Sequence, residues 1–107
     1  MQINEFEEQL SPGLTMVDFH ASWCGPCRTL APIIERVSEE KNVKLLKVDA
    51  DESKDIASSF SVRGIPTVIF FKGGQEVDRI VGLKQATAYN EIIEKHLNYH
   101  ESSHIIR

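Results

Sequence analysis

The chain has 107 residues, 41% of them hydrophobic and 26% charged, a balance typical of one globular domain. Its apolar runs fall far short of the ~18 residues that a membrane span needs, and its acidic N-terminus lacks the features of a signal peptide, so we expect a cytoplasmic protein without membrane contact. A net charge of −4 also argues against nucleic acid as a partner.

The N-terminal half predicts a helix followed by a strand–helix–strand unit. Residues 4–10 suit a short amphipathic helix, and residues 14–19 form a compact run typical of a buried strand. Apolar side chains recur at helical spacing from residue 27 to residue 41, and Pro32 inside this helix should kink it rather than end it. A second strand is predicted at residues 43–48, and this order of elements favours a parallel, right-handed unit.

The C-terminal half predicts a hairpin between two helices. A short helix, capped by Asp51 or Ser53, precedes predicted strands at residues 67–71 and 76–81. Gly73-Gly74 separates these strands, and two adjacent glycines suit the positive φ angles of a tight antiparallel turn.

The chain divides into a predicted domain at residues 1–98 and a polar C-terminal tail at residues 99–107. Within the last helix and the tail, His96, His100 and His104 recur every four residues. They would align and could bind a metal if the helix continued that far, but solvated histidines in a fraying tail are the simpler interpretation. We therefore expect no metal site.

Both cysteines of the chain lie in one unit, Cys24-Gly25-Pro26-Cys27. A structural disulfide framework would scatter its cysteines, so this placement indicates redox chemistry. The same spacing also supplies half of a zinc site, which would need two further ligands. The motif alone is therefore a weak signal, and its meaning depends on the surrounding sequence.

The surrounding sequence resembles the thioredoxin family. Residues 17–27 match its active-site segment, and further pieces recur in family order: Ala31-Pro32, Lys47-Val48-Asp49, Arg63-Gly64-Ile65-Pro66-Thr67, Phe71-Lys72 with Gly74, and Val81-Gly82. The resemblance implies an α/β fold, with a central mixed sheet of four to five strands flanked by helices on both faces. Only residues 1–3 are left for the family's first edge strand, which should be short or missing.

The two cysteines would then have different roles. Cys24 should lie at the N-terminal end of the long helix, where free N–H groups and the helix dipole favour a thiolate, so we interpret it as the nucleophile. Cys27, one turn further, is the resolving thiol. Gly25 and Pro26 complete the catalytic motif by resemblance.

Asp18 interrupts an otherwise apolar strand, where burial should raise the pKa of its carboxyl group. By resemblance it is the buried acid that helps to deprotonate Cys27. Lys47 on the neighbouring strand would be its partner and would temper that rise. The alternative is that Asp18 and Lys47 only mark exposed strand faces.

The resemblance also predicts a substrate-binding surface. Gly64-Ile65-Pro66 resembles the family loop that faces the cysteines with a cis peptide bond before the proline, and its backbone could pair with an extended substrate segment. A trans proline that merely begins a strand is the alternative. The complete predicted surface comprises Trp23, Gly64, Ile65, Pro66, Thr67, Val81 and Gly82.

His20 is the main departure from the family, which often has tryptophan at this position. An imidazole there could alter the stability of the thiolate near neutral pH, or it could simply fill space. Packing is the interpretation we favour from the sequence, and the redox potential of relatives does not transfer to this chain because of this substitution.

The implied function is a protein-disulfide reductant that binds no cofactor and is recharged by a thioredoxin reductase. NADPH would be held by that reductase, because the chain has no dinucleotide-binding motif. Disulfide-containing client proteins are the expected substrates, and a monomer is the expected state. A disulfide-forming or isomerising enzyme and a non-enzymatic binding module remain the alternatives.

Overall fold

A computed structural model describes the backbone of residues 1–105 and the side chains of residues 1–97. Helices and strands follow one another in the predicted order. Ser53, one of the two predicted caps, occupies the N-cap position of the short helix after β2, but its side chain makes no capping hydrogen bond. The elements are α1 (Ile3–Gln9), β1 (Leu14–His20), α2 (Gly25–Lys41), β2 (Lys44–Asp49), α3 (Lys54–Ser59), β3 (Thr67–Lys72), β4 (Gln75–Val81) and α4 (Ala86–Ile105).

The sheet contains four strands in the order β2-β1-β3-β4. β1 pairs with β2 in parallel, as the strand–helix–strand order predicts, and both β1–β3 and β3–β4 are antiparallel. Helix α1 begins at Ile3, so the edge strand expected to be short or missing is missing from the described sheet. The mixed sheet of the prediction is therefore confirmed in its four-stranded form.

The β3–β4 connection is the predicted two-glycine hairpin. Gly73 and Gly74 have φ angles of 60° and 82°, in the left-handed region that side chains with a Cβ rarely adopt. The turn places β4 beside β3 and carries Val81 back toward the end of the sheet where β3 begins.

Two apolar clusters cover the two faces of the sheet, because successive side chains of β1 point to opposite sides. Leu14 and Met16 pack with residues of α2 and α4, including Leu30 and Tyr89. Val17 and Phe19 belong to the opposite cluster, with the aromatic group Phe6, Phe60 and Phe71 from α1, the end of α3 and β3. Asp18 shares the α2 face with Met16.

Helix α2 continues through Pro32, as predicted. Its buried side includes the side chains of Leu30, Ile34 and Val37. Helix α4 continues to Ile105, so the backbone of much of the predicted tail is helical. The imidazoles of His100 and His104 lie outside the described side chains. Among the side chains that are described, no cluster of three or more potential metal ligands occurs, and no described helix could cross a membrane.

Candidate active site

The connection from β1 to α2 carries the two cysteines. β1 ends at His20, Cys24 is the N-cap of α2, and Cys27 lies in the first turn of that helix. The two form a disulfide with their Cα atoms 5.3 Å apart. The backbone N–H of Cys27 donates to Sγ of Cys24 over 3.2 Å, so a helix N–H without an intrahelical acceptor points at this sulfur.

The local sequence explains why α2 begins here. Pro26 lies in the first turn, where its missing N–H needs no intrahelical partner and its fixed φ suits the helix. The N–H of Cys24 donates to the carbonyl oxygen of Ala21, and the guanidinium of Arg28 donates to that of Ser22. These bonds hold the loop against the first turn of the helix and fix the position of Cys24.

An open cleft of about 330 Å³ lies beside Cys27. It is lined by Asp18, His20, Ala21, Ser22, Cys27, Arg28, Ala31 and Lys47. Asp18 is only 2% exposed, as the sequence predicted, and its Oδ1 has no hydrogen-bond partner. Burial raises the pKa of this carboxyl group above its usual range, and the positive charges of His20 and Lys47 oppose that rise.

Lys47 is the register partner of Asp18 on β2, as the predicted pairing of these strands requires. Its Nζ, however, pairs with the carboxylate of Glu35 on α2 rather than with Asp18. Lys47 therefore acts on Asp18 through space, and Glu35 partly offsets its effect on the Asp18 pKa. The sequence did not identify Glu35, which projects from the exposed side of α2.

The loop before β3 packs against the cysteines. The Ile65–Pro66 peptide bond is cis, which confirms the prediction for this loop, and Ile65 packs against the cluster that contains Cys24. Pro66 is buried, and its carbonyl oxygen accepts from the N–H of Gly82 over 2.8 Å. The loop and the end of β4 thus form one surface next to the disulfide.

Thr67 holds this loop rather than facing a partner. It is 1% exposed, and its hydroxyl donates to the carbonyl oxygen of Gly64 over 2.6 Å. Its side chain therefore cannot contact a bound substrate without rearrangement. Of the other predicted surface residues, Pro66 is also buried, whereas Trp23 and Val81 are exposed and Ile65 packs against the cluster that contains the cysteines.

Exposed apolar side chains surround the buried disulfide. Trp23 is 67% exposed and Val81 is 57% exposed, and Leu83, which the sequence analysis did not single out, extends the rim beyond β4. The Trp23 indole N–H donates to Oδ2 of Asp51 over 2.7 Å. The sequence predicts Asp51 only as a helix cap; its position two residues after β2 is the signal of a role at this end of the sheet.

Comparison with known proteins agrees with this geometry. The family model described as Thioredoxin matches residues 1–95. The thioredoxin of Staphylococcus saprophyticus is 42% identical over 96 residues, which cover 88% of this chain and 92% of that protein. The thioredoxin of Chlamydia trachomatis is 46% identical over 92 residues, 85% of this chain and 90% of that protein.

Comparison with solved structures also finds a thioredoxin. A mutant thioredoxin from Halobacterium salinarum superposes with a TM-score of 0.84 at 35% identity, covering 90% of this chain and 86% of that one. The similarity thus extends over the sheet, its helices and the segment that carries the two cysteines.

Proposed function

The chain belongs to the thioredoxin family, and we propose that within its thiol–disulfide exchange Cys24 is the nucleophile and Cys27 the resolving thiol. The exchange itself is the activity of a protein-disulfide reductant whose redox centre is the Cys24–Cys27 pair. The observation that carries the assignment of roles is the capping geometry, because only Cys24 places its sulfur in front of the free N–H groups of α2.

In the first step the Cys24 thiolate attacks a client disulfide. The α2 N-terminus stabilises the negative sulfur through the N–H of Cys27 and the helix dipole. One client sulfur leaves as a thiolate and takes a proton from solvent, while the other stays bound to Cys24. The Cys24 sulfur is now oxidised to the disulfide level and the departing client sulfur is reduced to the thiol level, and the mixed disulfide awaits the second thiol.

In the second step Cys27 releases the client. Its thiol proton passes to the Asp18 carboxylate across the shared cleft, and the resulting thiolate attacks Sγ of Cys24. The Cys24–Cys27 bond forms, the bond to the client breaks, and the second client sulfur leaves with a proton from solvent. Two electrons have passed from the dithiol to the client, and Asp18 returns its proton to solvent.

The surface around the disulfide is proposed to bind extended client segments. Trp23, Ile65 and Val81 supply apolar contacts. The Gly64 carbonyl oxygen and the Gly82 N–H are already bonded within this surface, so the client strand is proposed to pair with the remaining backbone groups of the loop before β3. An open, shallow and apolar rim suits varied protein partners better than it suits a small molecule.

We expect Val81→Glu to slow the reduction of a protein disulfide about tenfold, since a charge would face the apolar client segment. Reduction of the Cys24–Cys27 disulfide by dithiothreitol should be unchanged, because that small reagent does not need the rim. Val77→Glu on the same strand, also exposed, is the matched control and should behave as the unmodified protein.

The proposed electron donor is a thioredoxin reductase that uses NADPH, and the proposed clients are disulfide-containing proteins of the cytoplasm. The family membership and the exposed rim support this, since a reductase and a client would both have to approach the same face. The predicted catalytic roles of Asp18, Lys47, Gly25 and Pro26 belong to the same proposal, as does a monomeric state.

Reduction of insulin disulfides tests the proposal. The purified chain should reduce insulin with dithiothreitol as donor and again with a thioredoxin reductase and NADPH. Cys24→Ser should abolish both reactions. Turnover with dithiothreitol but with none of several reductases would refute the proposed donor, and undiminished turnover by Cys24→Ser would refute the proposed nucleophile.

A further inference from the structure

His20 lies where Asp18 and the redox centre share one cleft. It ends β1 two residues after Asp18, and side chains two apart on a strand point to the same face of the sheet. Both residues line the cleft that Cys27 also lines. Asp18 is buried whereas His20 is half-buried, so the imidazole is the more accessible of the two groups to protons from solvent.

The Asp18 carboxyl group depends on nearby positive charge. Its Oδ1 has no hydrogen-bond partner, and Val68 is its neighbour on β3. Burial raises the Asp18 pKa most strongly, the charge of His20 is the largest influence that lowers it, Lys47 lowers it less, and Glu35 raises it. An unpaired carboxylate is costly in such surroundings, so its ionised form needs a cation close by.

The other charged groups around His20 each have a partner of their own. Lys47 on β2 pairs with Glu35 on α2. Asp49, the register partner of His20, accepts hydrogen bonds from two backbone N–H groups of the following turn. Arg28 on α2 donates to a backbone carbonyl oxygen. Among the described side chains, none of these groups forms an ion pair with His20, whose charge lowers the pKa of the buried Asp18 carboxyl group.

We propose that His20 is a positioning residue for the resolving step, whose protonated imidazole keeps Asp18 ionised and so able to accept the Cys27 proton. The inference rests on the proposed role of Asp18 but concerns the residue at which this chain departs from the family. It adds no electrons and no co-reactant to the exchange, and the proton that leaves Cys27 still ends in solvent by way of Asp18.

The pH dependence follows from the chemistry of imidazole, the side chain that ordinarily changes its charge between about pH 5 and 8. A cationic imidazole at this position favours the Asp18 carboxylate, and a neutral one does not. The resolving step should thus lose less rate on acidification than it would with a neutral residue at this position.

An NMR titration of the Asp18 carboxyl carbon tests the coupling directly. The oxidised protein is used, because its cysteines do not titrate. In His20→Gln the Asp18 midpoint should move to higher pH than in the unmodified protein. His96→Gln is the matched control, since it removes an imidazole that lies beside Asp78 and does not line this cleft, and it should leave the Asp18 midpoint unchanged.

The rate of mixed-disulfide resolution gives a second readout. The unmodified protein should exceed His20→Gln at least about twofold near pH 6, and the two should converge near pH 8. Equal Asp18 midpoints in the two proteins would overturn the proposal. If His20→Gln does not fold, His20→Trp carries the same expectation, because tryptophan is also neutral.

Failure of the proposed function has a different signature. If Asp18→Asn resolves the mixed disulfide as fast as the unmodified protein, Asp18 is not the proton acceptor, whatever His20 does to its titration. If Asp18→Asn is slow but His20→Gln leaves the Asp18 midpoint unchanged, the role of Asp18 stands and that of His20 is wrong.

Discussion

Replacing Asp18 with asparagine should stabilise the oxidised protein, and more so as the pH rises. Burial raises the pKa of the folded Asp18 above its ordinary value of 3.8, so the folded chain holds this proton at a pH where the unfolded chain has lost it. Stability therefore falls as the pH rises above the unfolded pKa, and the loss is complete once the folded group has also ionised. Asparagine has a similar shape but does not ionise.

The structure sets the size of the effect. Asp18 is 2% exposed and its Oδ1 has no hydrogen-bond partner. An asparagine amide would be as unpaired here as the neutral carboxylic acid, so the difference between the two proteins comes from ionisation of Asp18 alone. Because burying an unpaired charge costs at least about 1–3 kcal/mol, we expect Asp18→Asn to raise the free energy of unfolding by about 2 kcal/mol at pH 8. The difference can change by at most about 1.4 kcal/mol per pH unit, because one proton is involved, and it should be small near pH 4.

Urea unfolding of the oxidised protein at several pH values between about 4 and 8 measures this difference. Asp55→Asn is the matched control, since Asp55 is an exposed carboxylate at the start of α3, and it should show no comparable gain. A difference between Asp18→Asn and the unmodified protein that does not grow with pH, or a variant that is less stable at pH 8, would refute the reasoning.

Two further predictions concern the motif and its loop. Cys27→Ser should retain the mixed disulfide between Cys24 and a client and lower turnover at least about a hundredfold, because no second thiol remains to release the client. Mass spectrometry should detect this adduct. Its absence would contradict the assignment of Cys24 as nucleophile and Cys27 as resolving thiol. Thr67→Ala should lower the free energy of unfolding by about 1 kcal/mol, because the loop before β3 loses the hydrogen bond from the buried Thr67 hydroxyl to the carbonyl oxygen of Gly64. Urea unfolding with an unchanged midpoint would contradict this.

Much of the fold could be predicted because local signals agreed with one another. Gly73-Gly74 indicated a tight turn between two strands. The helical spacing of apolar residues in α2, between two apolar runs, indicated a strand–helix–strand unit. The burial of Asp18 followed from a single acid in an apolar strand, and the structure confirms it. The described sheet also lacks the edge strand that was expected to be short or missing.

The resemblance, and not the pattern of residues, provided the cis peptide bond and the surface around it. Spacing alone could not show that Thr67 turns its hydroxyl inward to Gly64. A shift of the strand start by one residue would turn the Thr67 side chain outward to the surface instead. Thr67 was therefore placed in the predicted surface, although its side chain lies beneath it.

The ion pairs of the site escaped prediction because they join residues that are distant in sequence. Lys47 lies beside Asp18 in the strand register but pairs with Glu35, and this choice depends on where α2 passes over the sheet. The bond from Trp23 to Asp51 is of the same kind. Residue type could suggest that His20 mattered, but only the shared cleft indicates which carboxyl group it influences.

The central claim is that the N-terminus of α2 holds the sulfur of Cys24 as a thiolate. The most direct measurement is the rate of Cys24 alkylation by iodoacetamide as a function of pH in the reduced protein, with Cys27→Ser used to isolate the signal. The rate should reach half its maximum well below ~8.5, the pKa of an ordinary cysteine. A profile that coincides with that of a cysteine in an unstructured peptide would contradict the account.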